Sequence, residues 1–251
     1  MVAGLAKLLP ETHWKPDGDS LVGVVRVDDA WFSVRWRAMP FAEIFVTTRP
    51  LGGFTFRLRE GRVLATNDDA LVDRWLDDVS RRAIDGSHWT FEQTADDRLV
   101  ATKGRYEAEP KAMLAAMTTA CTIAARSHRW AAEYVQLARE LGASARSHLE
   151  IGGAPIIVAE RHAMELEVAL VRDRRLHTVV RTRRVGSEPT RVDEFAKKLL
   201  DVARPDDTRI DADRVELWFD GAMTTRERID AALEMCARWA VDTPVASGPY
   251  R

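Results

Sequence analysis

Apolar and polar residues alternate along several stretches of the chain, and the period of that alternation predicts its elements. From Trp31 to Arg37, Phe32, Val34 and Trp36 face one way and Ser33, Arg35 and Arg37 the other, as in a strand with one buried face. Leu21 to Val27, Phe41 to Thr48 and Phe54 to Leu58 read the same way, with turns at Asp28-Asp29, Met39-Pro40 and Gly52-Gly53. The period then changes. Leu71, Trp75, Leu76 and Val79 form a helical stripe behind the Asn67-Asp68-Asp69 cluster, which suits an N-cap, and the helix runs to about Ile84. Trp89 to Thr94 and Leu99 to Thr102 predict a hairpin across Ala95-Asp96-Asp97. Pro110 opens a second helix whose apolar face is Met113, Ala116, Met117, Ala120, Cys121 and Ala124. It continues or kinks near Ser127-His128 into Trp130 to Leu141, and Gly142 ends it. Residues 3–9 read as a further short helix.

The second half runs through the same programme. Ile156 to Ala159, Leu166 to Val171 and Leu176 to Thr182 are strands, and Glu188-Pro189-Thr190 opens a helix through Phe195, Leu199 and Val202. Thr208 to Asp211 and Val215 to Phe219 make a hairpin, and Thr224 caps a last helix through Ile229, Ala232, Leu233, Cys236 and Ala240. The tail after Asp242 reads as loose. One string marks the repetition. Ile44 to Gly52 returns as Thr178 to Gly186, with Val46 on Val180, Thr48 on Thr182, Arg49 on Arg183 and Gly52 on Gly186. Asp97-Arg98-Leu99 likewise matches Asp213-Arg214-Val215. The expected fold is α+β: a tandem repeat of two similar domains, residues 1–142 and 143–251, each an antiparallel sheet with helices packed on one side.

This order of helix, three strands, helix, two strands, helix resembles the class I type III secretion chaperones and related small bacterial regulators. The resemblance covers both halves at the level of order and length, and no diagnostic residue carries it. It implies a protein-binding surface and no catalysis. Those chaperones are typically more acidic than this chain and are single-domain dimers, so a fused duplication would do within one chain what the dimer does with two.

Composition narrows the chemistry. The 251 residues are 46% hydrophobic and 30% charged with a net charge of −2, so no bulk field draws the chain to nucleic acid or anionic membrane. The 37 basic residues divide into six Lys and thirty-one Arg, a bias that lowers the weight of any one arginine cluster. Cys121 and Cys236 each fall on the apolar face of a helix as small buried hydrophobes. The apolar run before Pro10 is too short for a signal-peptide core, and no window spans a bilayer, so membrane insertion is not expected and the expected location is cytoplasmic.

Candidate chemistry is sparse. No P-loop, Gly-x-Gly-x-x-Gly or Gly-x-Ser-x-Gly pattern occurs, and no cofactor or metal is expected. His162 and His177 are the histidines of interest, because neighbouring antiparallel strands could bring them together. Asp211 and Asp213 place two carboxylates on one strand face, which a solvated strand end explains better than a cation site. Arg172, Arg174, Arg175, Arg181, Arg183, Arg184 and Arg191 suggest a basic stripe for an anion, nucleic acid or acidic protein. It lacks the interleaved aromatics of a single-strand binder, and a nucleic-acid partner is disfavoured. Trp31 and Trp218 fall on the face opposite their strands' apolar residues, which suggests contact with a partner or with the other half. The leading expectation is a protein-binding, non-enzymatic molecule using sheet faces or an inter-domain groove. Two alternatives stay open: an enzyme using His162 or His177 with Arg183 at an inter-domain cleft, and a nucleic-acid or anion binder using the 172–191 arginines.

Overall fold

The computed structural model describes residues 13–27, 30–37, 41–49, 52–85, 87–107, 109–148, 154–185, 189–190, 194–241 and 243–244. The expected helix at 3–9, the turns at Asp28-Asp29 and Met39-Pro40, Pro50, Gly186, Glu188, Arg191 and the tail beyond Pro244 lie outside them. The chain is α+β. It divides into two compact units, residues 1–131 and 132–251, each built on an antiparallel sheet.

In the first unit the strands are β1 (Lys15–Asp17), β2 (Ser20–Val27), β3 (Ala30–Arg37), β4 (Ala42–Thr47), β5 (Phe56–Arg59) and β6 (Arg62–Thr66), then β7 (Thr90–Gln93) and β8 (Arg98–Lys103). They lie in the order β1-β2-β3-β4-β8-β7-β5-β6. Helices α1 (Asp69–Trp75) and α2 (Asp78–Ile84) separate β6 from β7, and α3 (Pro110–Glu140) follows β8. The period-two residues are buried as the pattern requires: Phe32, Val34, Trp36, Ile44, Val46, Leu99 and Ala101 are at most 5% exposed. Phe32 meets the His128 ring of α3 edge-on at 5.5 Å, and Phe54, Phe56 and Trp75 pack as one aromatic cluster.

The helix expected over 69–84 is in fact two. Asp77, read as a helix-interior residue, is the N-cap of α2 and accepts the Ser80 N–H at 2.9 Å, while Asp68 caps α1 by accepting from Leu71. A carboxylate that satisfies an orphan N–H at a new N-terminus starts a second helix rather than extending the first. Val79 is consequently 54% exposed and not part of the buried stripe. Helix α3 is continuous through Ser127-His128. It ends at Gly142 (φ +64), where Ala143 N–H reaches Ala138 O and Gly142 N–H reaches Arg139 O, the pattern of a Schellman cap.

In the second unit β9 (Ser144–His148), β10 (Ala154–Arg161), β11 (Met164–Asp173), β12 (Arg175–Arg183), β14 (Asp207–Ile210) and β15 (Arg214–Asp220) lie in the order β14-β15-β12-β11-β10-β9. Helix α4 (Glu194–Ala203) packs on α5 (Arg226–Val241), which covers one face of β10, β11, β12 and β15. Thr190, expected to start a helix, lies with Pro189 in the short strand β13, which pairs in parallel with β16 (Thr243–Pro244). Phe195 and Val202, expected on the buried face of α4, are each 48% exposed; Ala196 and Ala203 are buried instead.

From β2 to β4, and then through β8 to β7, the first sheet runs in the same order as β10 to β12, then β15 to β14, in the second. The backbone register separates the two sequence alignments. Val46 lies opposite Leu99, whereas Val180 lies opposite Leu217. Thr48 N–H donates to Asp97 O, and Arg184 N–H donates to Asp213 O. If Arg98 corresponds to Arg214, then Thr47 corresponds to Arg183 and Ile44 to Val180. The string alignment is therefore displaced by two residues from the hairpin alignment. A shift of two keeps every side chain on its own face, which is why both look acceptable in sequence.

Candidate functional site

The face of each sheet turned away from the buried period-two residues carries an open groove. In the first unit it is about 440 Å³ and is lined by Asp19, Ser20 and Val22 before and on β2, Ser33, Arg35 and Arg37 on β3, Phe45 and Thr47 on β4, and Arg98 at the start of β8. Each arginine is held by a carboxylate. Arg35 meets Asp17 at 2.6 Å, Arg98 meets Asp96 at 2.7 Å, and Arg37 meets Glu43. The hydrogen bond and charge of Glu43 push the Arg37 guanidinium further toward its protonated form. Phe45, half-buried between Arg35 and Val100, supplies an apolar floor.

The second groove is about 720 Å³ and is lined by Ala163 and Met164 at the β10–β11 turn, Glu165 and Glu167 on β11, Arg181, Thr182, Arg183 and Val185 on and after β12, and Arg214 on β15. Arg181 Nε donates to Glu167 at 2.9 Å, Arg214 reaches Glu216 at 3.3 Å, and Arg146 bridges Glu165 at 2.9 Å and Glu167 at 3.4 Å. Arg183 is exposed and forms no ion pair with the described residues. The turn that walls this groove has both central residues, His162 (φ +52) and Ala163 (φ +60), in the left-handed region with no glycine. It is clamped to α5. Arg161 meets Asp230 at 2.9 Å, and His162 Nε2 lies 2.8 Å from Glu234, which also accepts from Arg238. Burial pushes the Glu234 carboxyl up, but the hydrogen bonds from His162 and Arg238 outweigh it and hold the group below the usual carboxylate range.

The two grooves occupy the same place in their sheets. Arg35 is opposite Phe45 as Glu167 is opposite Arg181, and Thr47 is opposite Arg98 as Arg183 is opposite Arg214. Sequence reading singled out Arg181 and Arg183 and passed over Arg35, Phe45 and Arg98. Only cross-strand pairing brings these together.

The remaining expected residues are scattered. Trp31 is 56% exposed on the outer face of β3, with Arg26 5.8 Å from its ring. Trp218 lies half-buried on the outer face of β15. Arg209 stacks on it at 3.8 Å, His177 meets it edge-on at 5.5 Å, and its Nε1 donates to Glu216. His162 and His177 do not come together. His162 is at the turn before Met164, whereas His177 is opposite Val171, seven residues along β11 and about 24 Å away. His177 pairs instead with Asp220 at 3.1 Å. The arginine stripe is also broken. Arg172, opposite Leu176, and Arg174 in the turn lie at the far end of β11 and β12 from Arg183, and Glu167 and Glu216 intervene. Asp211 and Asp213 lie in the β14–β15 turn, where Asp211 Oδ1 accepts the Asp213 N–H, and not on one strand face.

Cys121 and Cys236 are free and buried; burial pushes the Cys121 thiol up to about 12 and raises that of Cys236 as well. Among the described residues no group of three His, Cys, Asp or Glu could hold a metal ion, and no helix is long and apolar enough to cross a membrane. No protein-family model, no curated protein and no solved structure matches the chain.

Proposed function

We propose that this chain is a protein-binding molecule of the chaperone or adaptor kind, built from two copies of one α+β module, that holds its partner on the outer faces of its sheets. The observation that carries the reading is the pair of open grooves at one register position in two sheets of the same strand order. A chance hollow has no reason to recur at matched cross-strand positions.

The linings support a protein partner. Arginine and aromatic side chains carry a disproportionate share of binding energy at protein interfaces. Both outer faces combine them: Arg35, Arg98 and Phe45 in the first groove with Trp31 and Arg26 nearby, and Arg181, Arg183 and Arg214 in the second with Trp218 and Arg209 on the same sheet. Exposed ion pairs of the Arg35–Asp17 type are worth about 0–1 kcal/mol, so a partner's carboxylates can replace the internal ones at small cost. The shared strand order also supports the reading of a duplicated module.

The test uses the purified chain as bait in lysate of its own host, beside an Arg183→Ala/Arg214→Ala variant and an Arg35→Ala/Arg98→Ala variant. The reading expects one protein retained by the parent and reduced about tenfold or more in at least one variant, as loss of interface hot spots requires. Retention of the same proteins at the same level by all three would overturn it.

A further inference from the structure

We infer that β14, the edge strand of the second sheet, is an acceptor for one extended segment of a partner protein, which adds to it as an antiparallel strand. This rests on the protein-binding reading above and names the form the partner takes. In the first unit the strand at the same place, β7, is not an edge: β5 lies antiparallel against it, with Phe56 opposite Gln93 and Leu58 opposite Phe91. In the second unit the chain passes from β12 through β13 and α4 to β14, no such hairpin is found among the described residues, and among the described strands β14 ends the sheet. The first sheet therefore contains its own example of a strand that has no counterpart among the described residues of the second.

The polar groups of the edge are set for this. Asp211 N–H donates to Arg214 O, so alternation along an antiparallel pair turns the amides of Asp207 and Arg209 toward β15 and those of Thr208 and Ile210 outward. Thr94 N–H likewise donates to Arg98 O, which turns Phe91 and Gln93 outward, and these are the residues opposite Leu58 and Phe56. Asp207, Thr208 and Arg209 are exposed. The strand is short and charged, and the Asp207 carboxylate caps the Thr208 N–H at 2.8 Å, which discourages indiscriminate pairing.

Charge sets the occupant's pattern. Arg57 of β5 pairs with Glu92 across the strands at 2.7 Å. At the matching place β14 carries Arg209, which pairs with Asp207 of the same strand at 2.9 Å, so the strand that complements this edge sets an acidic residue opposite Arg209, a basic one opposite Asp207 and apolar residues opposite Thr208 and Ile210.

The probe is a synthetic peptide carrying the β5 sequence with one change, Phe-Thr-Phe-Glu-Leu-Arg-Glu, beside the unchanged Phe-Thr-Phe-Arg-Leu-Arg-Glu. Both are titrated into the full ¹⁵N-labelled chain to about 1 mM. Saturable amide shifts centred on Thr208 and Ile210, tighter for the Glu peptide by about two- to fivefold, are expected. Thr208→Pro, which removes an outward N–H at an edge where proline is tolerated, should abolish them with the melting temperature unchanged. No shift at β14, shifts that survive Thr208→Pro, or β14 shifts that depend on protein concentration alone, as pairing between two copies would give, would each overturn the inference. The groove variants of the preceding test leave β14 intact, so a partner lost in them and kept by Thr208→Pro sinks the edge and spares the protein-binding reading.

Discussion

At the scale of single residues the sharpest consequences are electrostatic and conformational. Burial, and then the charge of Arg49, hold the His128 ring below its ordinary value of 6.5. The unfolded chain therefore takes up a proton near that value that the folded chain refuses. Its contribution is complete above about pH 6.5 and declines as pH falls from there toward the native value. Urea unfolding at pH 7.5 and 5 should show this loss, and His128→Gln should flatten the difference; an unchanged pH dependence would contradict the assignment. Ala163 at φ +60 is strained, so Ala163→Gly should stabilise the chain by about 1 kcal/mol and raise its melting temperature, which calorimetry can read. Neither residue announces itself in sequence. His128 looks like any helical histidine, and a His-Ala pair is not a turn signal as Asn-Gly would be.

At the scale of elements, Asp77 decides that one helical stretch becomes two. It caps α2 and pairs with Arg126 of α3. Burial pushes the carboxyl up, but hydrogen bonds from Ser80 and the charges of Arg126 and Arg129 outweigh it and hold the group below the ordinary value of 3.8. Asp77→Ala should cost about 1–2 kcal/mol in chemical denaturation, and Asp77→Asn, which keeps the cap acceptor, should cost less. Equal losses would mean that the ion pair outweighs the cap. The strands were legible where one face alone is buried, as in Phe32, Val34 and Trp36. Strand β6 was not legible, because Val63 and Leu64 are adjacent and both exposed, so no alternation marks it. Its signal was the turn before it, where Glu60 (φ +50) and Gly61 (φ +72) join Arg59 to Arg62. Phe195 does not mark a buried face of α4, because Arg238 covers its ring at 4.5 Å and it stays half exposed.

At the scale of the whole molecule, two sheets share a strand order and an outer-face groove. The α+β class and most of the longer strands were readable from the chain. The grooves were not, because their linings are assembled across strands: Arg98 is adjacent to Thr47 in space and far from it in sequence. The register puts Arg181 and Arg183, and not Arg172 and Arg174, in one groove with Arg214. The most direct measurement places a photo-crosslinking amino acid at Thr47 in one variant and at Arg183 in another, expressed in the native host. A third variant carries it at Val241, an exposed residue on α5 outside both grooves, as the control. The protein-binding account predicts a discrete protein adduct from Thr47, Arg183 or both, and none from Val241. Adducts to nucleic acid alone, or no adduct from either groove while the chain stays folded, would contradict it.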